Sequence, residues 1–268
     1  MMNAMQSAEN REKQPERRPL ILVTNDDGID APGIRHLTGL MSRLGEVWVV
    51  APQGVRSGMG HAITLSEIIT YRECPPRDGS RREFACSGTP ADCVKLAKSE
   101  LLERLPDLCV SGINHGSNAS INVIYSGTMA AAIEGGVEGI PSIGFSLCDH
   151  DLAADMRPLD DAILRIASRV LERGLPPSTV LNVNFPCGEI RGIRLCRQAQ
   201  TRWSQEFERR AFPRGGDYFW LIGYPVCTDT GEDTDQWALD HGYASVVPTT
   251  FDLTAYRAME ELKQWNLE

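Results

Sequence analysis

Apolar runs of strand length recur along this chain, and the stretches between them carry helical periodicity. The runs are LILVT (20–24), EVWVVAP (46–52), LCVSGI (108–113), PSIGFSL (141–147) and TVLNVNFP (179–186). GIRHLTGLMSRLG (33–45) places Ile34, Leu37, Leu40, Met41 and Leu44 on one helical face and ends on a Gly suited to a C-cap. TPADCVKLAKSELLERL (89–105) offers Thr89 as N-cap and Pro90 at the first helical position. GTMAAAIEGGVEG (127–139) and RPLDDAILRIASRVLERG (157–174) are further helices. Strands alternating with helices call for right-handed crossovers and a largely parallel sheet covered on both faces. The expectation is an α/β, Rossmann-like three-layer core over residues 19–195.

The chain beyond that core differs in kind. RQAQTRWSQEFERRAFPRGGDYFWLIGYP (197–225) is rich in aromatics and Arg, with PRGGD as a turn between two extended runs. It reads as a long β-hairpin, which is marginal in water unless it lies on something. The chain carries 27 basic against 36 acidic side chains, a net charge of −9. That balance disfavours binding to a nucleic-acid duplex, so the Arg and Trp interleaving at 202–210 reads as an oligomer interface. Residues 196–235 are therefore expected to form an oligomerisation arm with an acidic loop. Residues 236–268 supply a strand and a helix returning to the core. Residues 1–18 are polar, with no apolar segment of a secretory signal, and are expected as a tail. No run of about eighteen apolar residues occurs, so no membrane span is expected. None of the eight Cys forms a C-x-x-C pair, which points to reduced thiols in a cytoplasmic protein rather than a zinc site.

In an open parallel sheet, ligands collect beyond the C-terminal ends of the strands. Those ends read TNDDG (24–28), APQGVRSGMGH (51–61) and SGINHGSN (111–118), succeeded by the polar turn YSGTM (125–129). Asp26 and Asp27 offer hard oxygen ligands of the kind Mg²⁺, Mn²⁺ or Ca²⁺ prefers. Past the strand end the period-two alternation lapses, so neighbouring carboxylates can turn to one point. Ser57 and Asn114, from two other strand ends, complete an oxygen shell with them. In isolation an NDDG turn is a solvated β-turn; its position among three more polar strand ends reverses that reading. Ser-Gly pairs recur, and two continue as SGTP and SGTM at helix starts, where backbone N–H groups cradle an anion or the hydroxyl simply caps the helix. His61 reads equally as a catalytic acid or a loop hydrogen-bonder. His115 reads as a ligand-contacting or exposed side chain, and His36 and His241 as structural.

The blocks ILVTNDDGIDAPGI, VVAPQGVRSGMGHAIT, SGTPADCVKLA, PDLCVSGINHGSN, YSGTMAAAIEG and IPSIGFS together closely resemble the SurE family of metal-dependent 5′/3′-nucleotidases. The resemblance extends through VLNVNFP, TRWSQEFERR and GYASVVP. It implies one divalent ion per subunit, Mg²⁺ or Mn²⁺, held by Asp26, Asp27, Ser57 and Asn114, with Asp26, Asp27 and Asn114 as the catalytic set. It implies hydrolysis of nucleoside 5′- and 3′-monophosphates, with activity on short polyphosphate in some members. It also implies a homodimer or tetramer built through residues 197–225. On this reading Asn25, Gly58, Asn118, Ser126, Gly127 and Thr128 position the phosphoryl oxygens, and His61 and a metal-bound water are the two candidates for proton donor to the leaving group. APQ stands here where the family often has APD, and Ser120 and Asn122 stand where many members have Gly and an acidic residue. Two rivals are a phosphatase with an aspartyl nucleophile, which calls for D-x-D spacing, and a nucleotide-binding regulatory module without chemistry.

Overall fold

All five residues of strand β1 (Leu20–Thr24) are buried, and they serve two cores at once. Ile21 and Val23 project to one face and Leu20 and Leu22 to the other, as strand alternation requires. The computed structural model describes residues 17–265 and 267; the expected N-terminal tail lies, as far as residue 16, outside them. The remaining strands are β2 (Glu46–Pro52), β3 (Tyr71–Cys74), β4 (Arg82–Cys86), β5 (Leu108–His115), β6 (Ser142–Leu147), β7 (Thr179–Phe185), β8 (Gly192–Leu195), β9 (Thr201–Ser204), β10 (Phe207–Ala211), β11 (Asp217–Leu221), β12 (Tyr224–Cys227) and β13 (Tyr243–Thr250). The helices are α1 (Pro32–Met41), α2 (Pro90–Leu96), α3 (Gly127–Val137), α4 (Asp160–Arg173), α5 (Asp235–Asp240) and α6 (Tyr256–Leu262).

Nine strands form one sheet in the order β3-β4-β2-β1-β5-β6-β7-β13-β8. From β4 to β7 every neighbouring pair is parallel. Strand β3 lines the β4 edge antiparallel, and β13 returns antiparallel to β7 with β8 parallel beyond it. Helices α1 and α4 bury Ile34, Leu37, Met41, Ile163 and Val170 against one face. On the other face α2 and α3 bring Cys93, Val94 and Ala131 onto Leu20, Leu22, Val50 and Phe84. The chain leaves β1 toward β2 and later resumes at β5 on the opposite side of β1. The ends of β1 and β5 therefore flank a topological switch point, where open α/β sheets leave a crevice.

The structure departs from the sequence expectation in three places. Helix α1 ends at Met41, and Gly45 is not its cap: a Cβ there would lie 2.5 Å from the Pro19 carbonyl oxygen, so Gly allows a close chain crossing. The helix expected over 89–105 is regular only to Leu96 and continues as a wider turn closed by Leu102 N–H donating to Ala97 O at 2.9 Å. Strands β3 and β4 are absent from the sequence reading, because YREC and REFAC are too charged to read as sheet. Glu83 is nevertheless fully buried on β4, accepting from Arg35 Nη1 at 2.7 Å, Ser80 Oγ at 2.8 Å and Arg77 Nε at 3.0 Å. A buried carboxylate is tolerable only when paired in this way.

The segment after β8 does form an antiparallel arm. Strands β9 and β12 pair at its base, with Trp203 opposite Pro225, and β10 and β11 pair farther out, with Phe207 opposite Leu221. Its tip turns through Gly215 and Gly216, whose φ of 93° and 90° suit Gly and no L side chain.

Candidate active site

The NDDG turn after β1 is built by its Asn. Asn25 Nδ2 donates to Gly28 O at 2.9 Å, and Gly28 N–H donates back to Asn25 Oδ1 at 3.2 Å. Each end of this amide makes one bond, so Asn25 shapes the turn that carries the two Asp residues, and its second side-chain N–H remains for the phosphate expected there.

Asp26 is only 3% exposed and lies under the N-terminus of α3. Thr128 Oγ1 donates to its Oδ1 at 2.6 Å. A Cβ on Gly127 would fall 2.7 Å from the Asp26 Cβ, so the helix start approaches this closely only because residue 127 is Gly. Burial pushes the Asp26 carboxyl up to about 6; the Thr128 hydroxyl pulls it down, and the neighbouring Asp27 charge pushes it up again. Asp27 is half-buried and raised as well, by burial first, against a hydrogen bond from the His115 backbone. Its Oδ2 is buried without a hydrogen-bond partner. Two neighbouring carboxylates, both held above their ordinary range and one with an orphaned oxygen, have no ion pair among the described residues.

Three more segments close on this pair. Arg56 N–H donates to Asp26 O at 2.7 Å, which docks the loop after β2 and presents Ser57 next to it as an exposed hydroxyl. The irregular end of β5, where the register slips between Ser111 and Asn114, brings Asn114 and His115 to Asp27. Asn114 Nδ2 donates to Gly116 O at 2.8 Å, which leaves its oxygen as the free end of the amide. Ser126 caps α3 by accepting from Met129 N–H at 3.0 Å. The residues present fit a hard divalent cation: two carboxylates with no ion pair among the described residues, an amide oxygen and a hydroxyl. Among the described residues no cluster of three or more His, Cys, Asp or Glu occurs, so a shell here draws on the Asn and Ser oxygens.

Two further expected site residues bond within the protein. Asn118 Nδ2 donates to Ser146 Oγ at 2.8 Å, its N–H to Asn184 Oδ1 at 2.8 Å, and its carbonyl accepts from Asn182 Nδ2 at 2.8 Å. These bonds pin the loop between Gly116 and Ser120 and leave Asn118 one side-chain N–H to offer a phosphate. Asn182 and Asn184, missed from the sequence, build this support. Their signal is the period-two placement of amides in LNVNF, polar groups on a strand that is otherwise buried.

His61 directs Nε2 at Glu134 Oε2, 2.7 Å away, while Lys95 Nζ lies 2.6 Å from the other Glu134 oxygen. Glu134 stands two turns into α3, away from the helix start that meets Asp26. The imidazole thus latches its loop to α3, which departs from the proton-donor expectation. His61→Gln is expected to lower kcat by less than about tenfold, against the 10²–10⁴-fold loss of a general acid. A larger loss that grows with leaving-group pKa in a series of phosphate esters would restore the catalytic role.

SGTP at 87–90 serves as a cap. Thr89 accepts from Asp92 N–H at 3.2 Å, and the Asp92 carboxylate accepts back from Thr89 N–H at 2.9 Å. His36 pairs with Asp160 at 2.7 Å, and His241 stacks on Trp237. All eight Cys are free thiols.

Thr128→Val removes the hydroxyl that holds Asp26 down, so its carboxyl in the metal-free protein is expected to rise further above 6. The ¹³C carboxyl shift of Asp26 tracked against pH reads this directly; an unmoved midpoint would show the hydroxyl to be idle.

Known proteins carry the same framework. Residues 21–205 match the family described as Survival protein SurE. A 5′-nucleotidase SurE of Flavobacterium psychrophilum is 55% identical over 253 residues, covering 93% of this chain and 98% of its own. One from Christiangramia forsetii is 56% identical over 256 residues, covering 94% and 98%. The crystal structure of the SurE protein from Aquifex aeolicus superposes with a TM-score of 0.79 at 36% identity, over 92% of this chain and 99% of that one. A family match across most of the chain, relatives aligned nearly end to end and a shared backbone leave one assignment: the chain belongs to the SurE family.

Proposed function

We propose that this protein is a metal-dependent 5′-nucleotidase, hydrolysing nucleoside monophosphates to nucleoside and phosphate. The observation that carries the reading is the carboxylate pair at the end of β1, with no ion pair among the described residues and set against the start of α3. The names of the relatives, 5′-nucleotidase SurE, support the same chemistry. Asp26, Asp27, Asn114 and Ser57 would hold one Mg²⁺ or Mn²⁺. When bound, that ion supplies Lewis-acid polarisation of a phosphoryl oxygen and acidification of a water.

The protein's own groups do the rest. Thr128 and the turn closed by Asn25 hold Asp26 and Asp27 in place. The α3 N-terminus, through the Gly127 and Thr128 amides and the Ser126 cap, with Gly58 opposite, receives the phosphoryl oxygens and opposes their growing charge. No Asp-x-Asp pair stands at β1, so water rather than a carboxylate attacks phosphorus.

The test is phosphate release from 5′- and 3′-nucleoside monophosphates and short polyphosphate, with each ion and with chelator. Release from 5′-monophosphates that chelator abolishes and Mg²⁺ or Mn²⁺ restores is expected. Nucleotide binding with no release under any ion would instead support a regulatory module.

The arm adds a self-association reading. Phe207, Phe212, Phe219 and Trp220 on it are exposed in the single chain, and large apolar side chains left open together on one arm are of the kind that interfaces cover. A homodimer or tetramer in the cytoplasm is expected. Phe219→Ser with Trp220→Ser should shift sedimentation toward monomer, and an unchanged mass would place the interface elsewhere. No helix among the described residues is long and apolar enough to cross a membrane.

A further inference from the structure

Beside the phosphate-handling segments, and sharing Gly58 with them, lies a recess whose other walls the metal and phosphate chemistry does not use. Gly58 and Tyr125 line one side of it, and Trp203, Glu206, Leu221 and Ile222, from the base of the arm, line the other. Gly58 comes directly after Ser57 and Tyr125 directly before Ser126, so the recess is continuous with the two segments that close on Asp26. We propose that it receives the nucleoside half of the substrate, base and ribose, while the phosphate lies at Asp26 and Asp27; this rests on the nucleotidase reading of that site.

Size, shape and chemistry each favour that occupant. The recess measures about 420 Å³, within the roughly 300–1,000 Å³ of small-ligand sites. Tyr125 and Leu221 remain 51% and 70% exposed, apolar area that the chain itself leaves uncovered. Trp203 Nε1 donates to Asn122 Oδ1 at 3.1 Å, which fixes the indole plane before any ligand arrives. A preset aromatic plane stacks on the face of a nucleobase at little conformational cost.

The walls are also held in place. Gly60 N–H donates to Tyr125 O at 3.1 Å, tying the Ser57 loop to the tyrosine wall. On the arm, Ile222 N–H donates to Glu206 O at 2.9 Å, and a Cβ on Gly223 would lie 2.9 Å from Glu206 Cα. The two arm strands cross here too closely to slide.

Glu206 sets the polarity of the site. Its carboxylate repels a second phosphate, which orients a nucleotide with the phosphate toward the acidic pair's cation and the nucleoside toward the arm. It also accepts hydrogen bonds from ribose hydroxyls or a base amino group. Stacking favours any base over none, because every base has a π-face. The arm thus selects nucleoside phosphates over other phosphate monoesters with little choice among bases.

The experiment compares kcat/KM for adenosine 5′-monophosphate and for glycerol phosphate in the full chain with Mn²⁺. Equilibrium dialysis of adenosine, which needs no turnover, runs alongside. In Trp203→Ala the ratio of the two kcat/KM values is expected to fall about tenfold or more, chiefly through KM for the nucleotide, with adenosine binding weakened in step. Trp203→Phe, which keeps a ring, should restore most of the ratio, and Tyr125→Ala should lower it without touching the Trp203 hydrogen bond. An unchanged ratio with unchanged adenosine binding in both alanine variants overturns the proposal. Absence of phosphate release from either ester by the unmodified protein overturns the nucleotidase reading alone, and adenosine binding still decides the recess.

Discussion

Asp26→Asn is expected to give a protein that is more stable without metal at neutral pH and yet inactive. The Asp26 carboxyl stands at about 6 in the folded protein against an ordinary 3.8, chiefly because burial opposes its charge. A rise of about two units corresponds to roughly 3 kcal/mol. The folded state holds this proton more tightly than the unfolded state, so the contribution is fully present below pH 3.8. It is lost as pH rises through about 6. The neutral amide never ionises and still accepts from Thr128.

In chelator, urea unfolding should therefore favour the Asn variant by about 3 kcal/mol at pH 8 and by only about 1 kcal/mol at pH 4.5. Other carboxylates titrate alike in both proteins and cancel in the comparison. Removing groups that merely support metal ligands already costs about 10–100-fold, so losing this charge should cost more than about a hundredfold in kcat/KM. The Mn²⁺-induced rise in Tm should vanish with it. Equal stability differences at the two pH values, or metal-dependent turnover near the original rate, would refute the assignment of Asp26.

The second large effect concerns Gly33, the second residue of α1. An added Cβ would lie 1.9 Å from the Ile113 carbonyl oxygen and 2.9 Å from its carbon. Those are backbone atoms of the central strand, in the irregular stretch that delivers Asn114, so they cannot move aside as a side chain does. Gly33→Ala is expected to destabilise the protein by about 3 kcal/mol or more and to disturb Asn114 in whatever protein still folds.

Gly39 on the same helix supplies the control. Its Cβ would meet nothing closer than Asp78 O at 4.0 Å. Gly39→Ala should stabilise by about 0.5–1 kcal/mol through helix propensity. Chemical unfolding of both variants gives the signs, and a stabilising Gly33→Ala would show that α1 does not press on β5.

Much of the framework is legible before any coordinates. The central parallel strands announce themselves as apolar runs, and the convergence of NDDG, the Ser57 loop, the Asn114 segment and SGTM comes from the rule for strand ends. Strand β4 is hidden because its pairing lies elsewhere. Glu83 is acceptable in the core only through Arg35 and Arg77, and Arg35 sits on α1, 48 residues earlier. The recess at the arm is hidden for a similar reason, since Tyr125 and Trp203, 78 residues apart, line one cavity only in the folded chain.

Local pattern alone settled which polar residues stand at the strand ends, because turns and alternation are short-range properties. Tertiary structure alone decided which of them have bonding capacity left. Asn25 ties its amide to a glycine three residues away, and Asn118 gives one side-chain N–H to Ser146 and its backbone N–H to Asn184, 28 and 66 residues on. Asp26 finds its hydroxyl partner 102 residues away, while Asp27 keeps an oxygen with none. A hydrogen bond is counted only when both partners are in place, and for most of this site the second partner comes from a distant part of the chain.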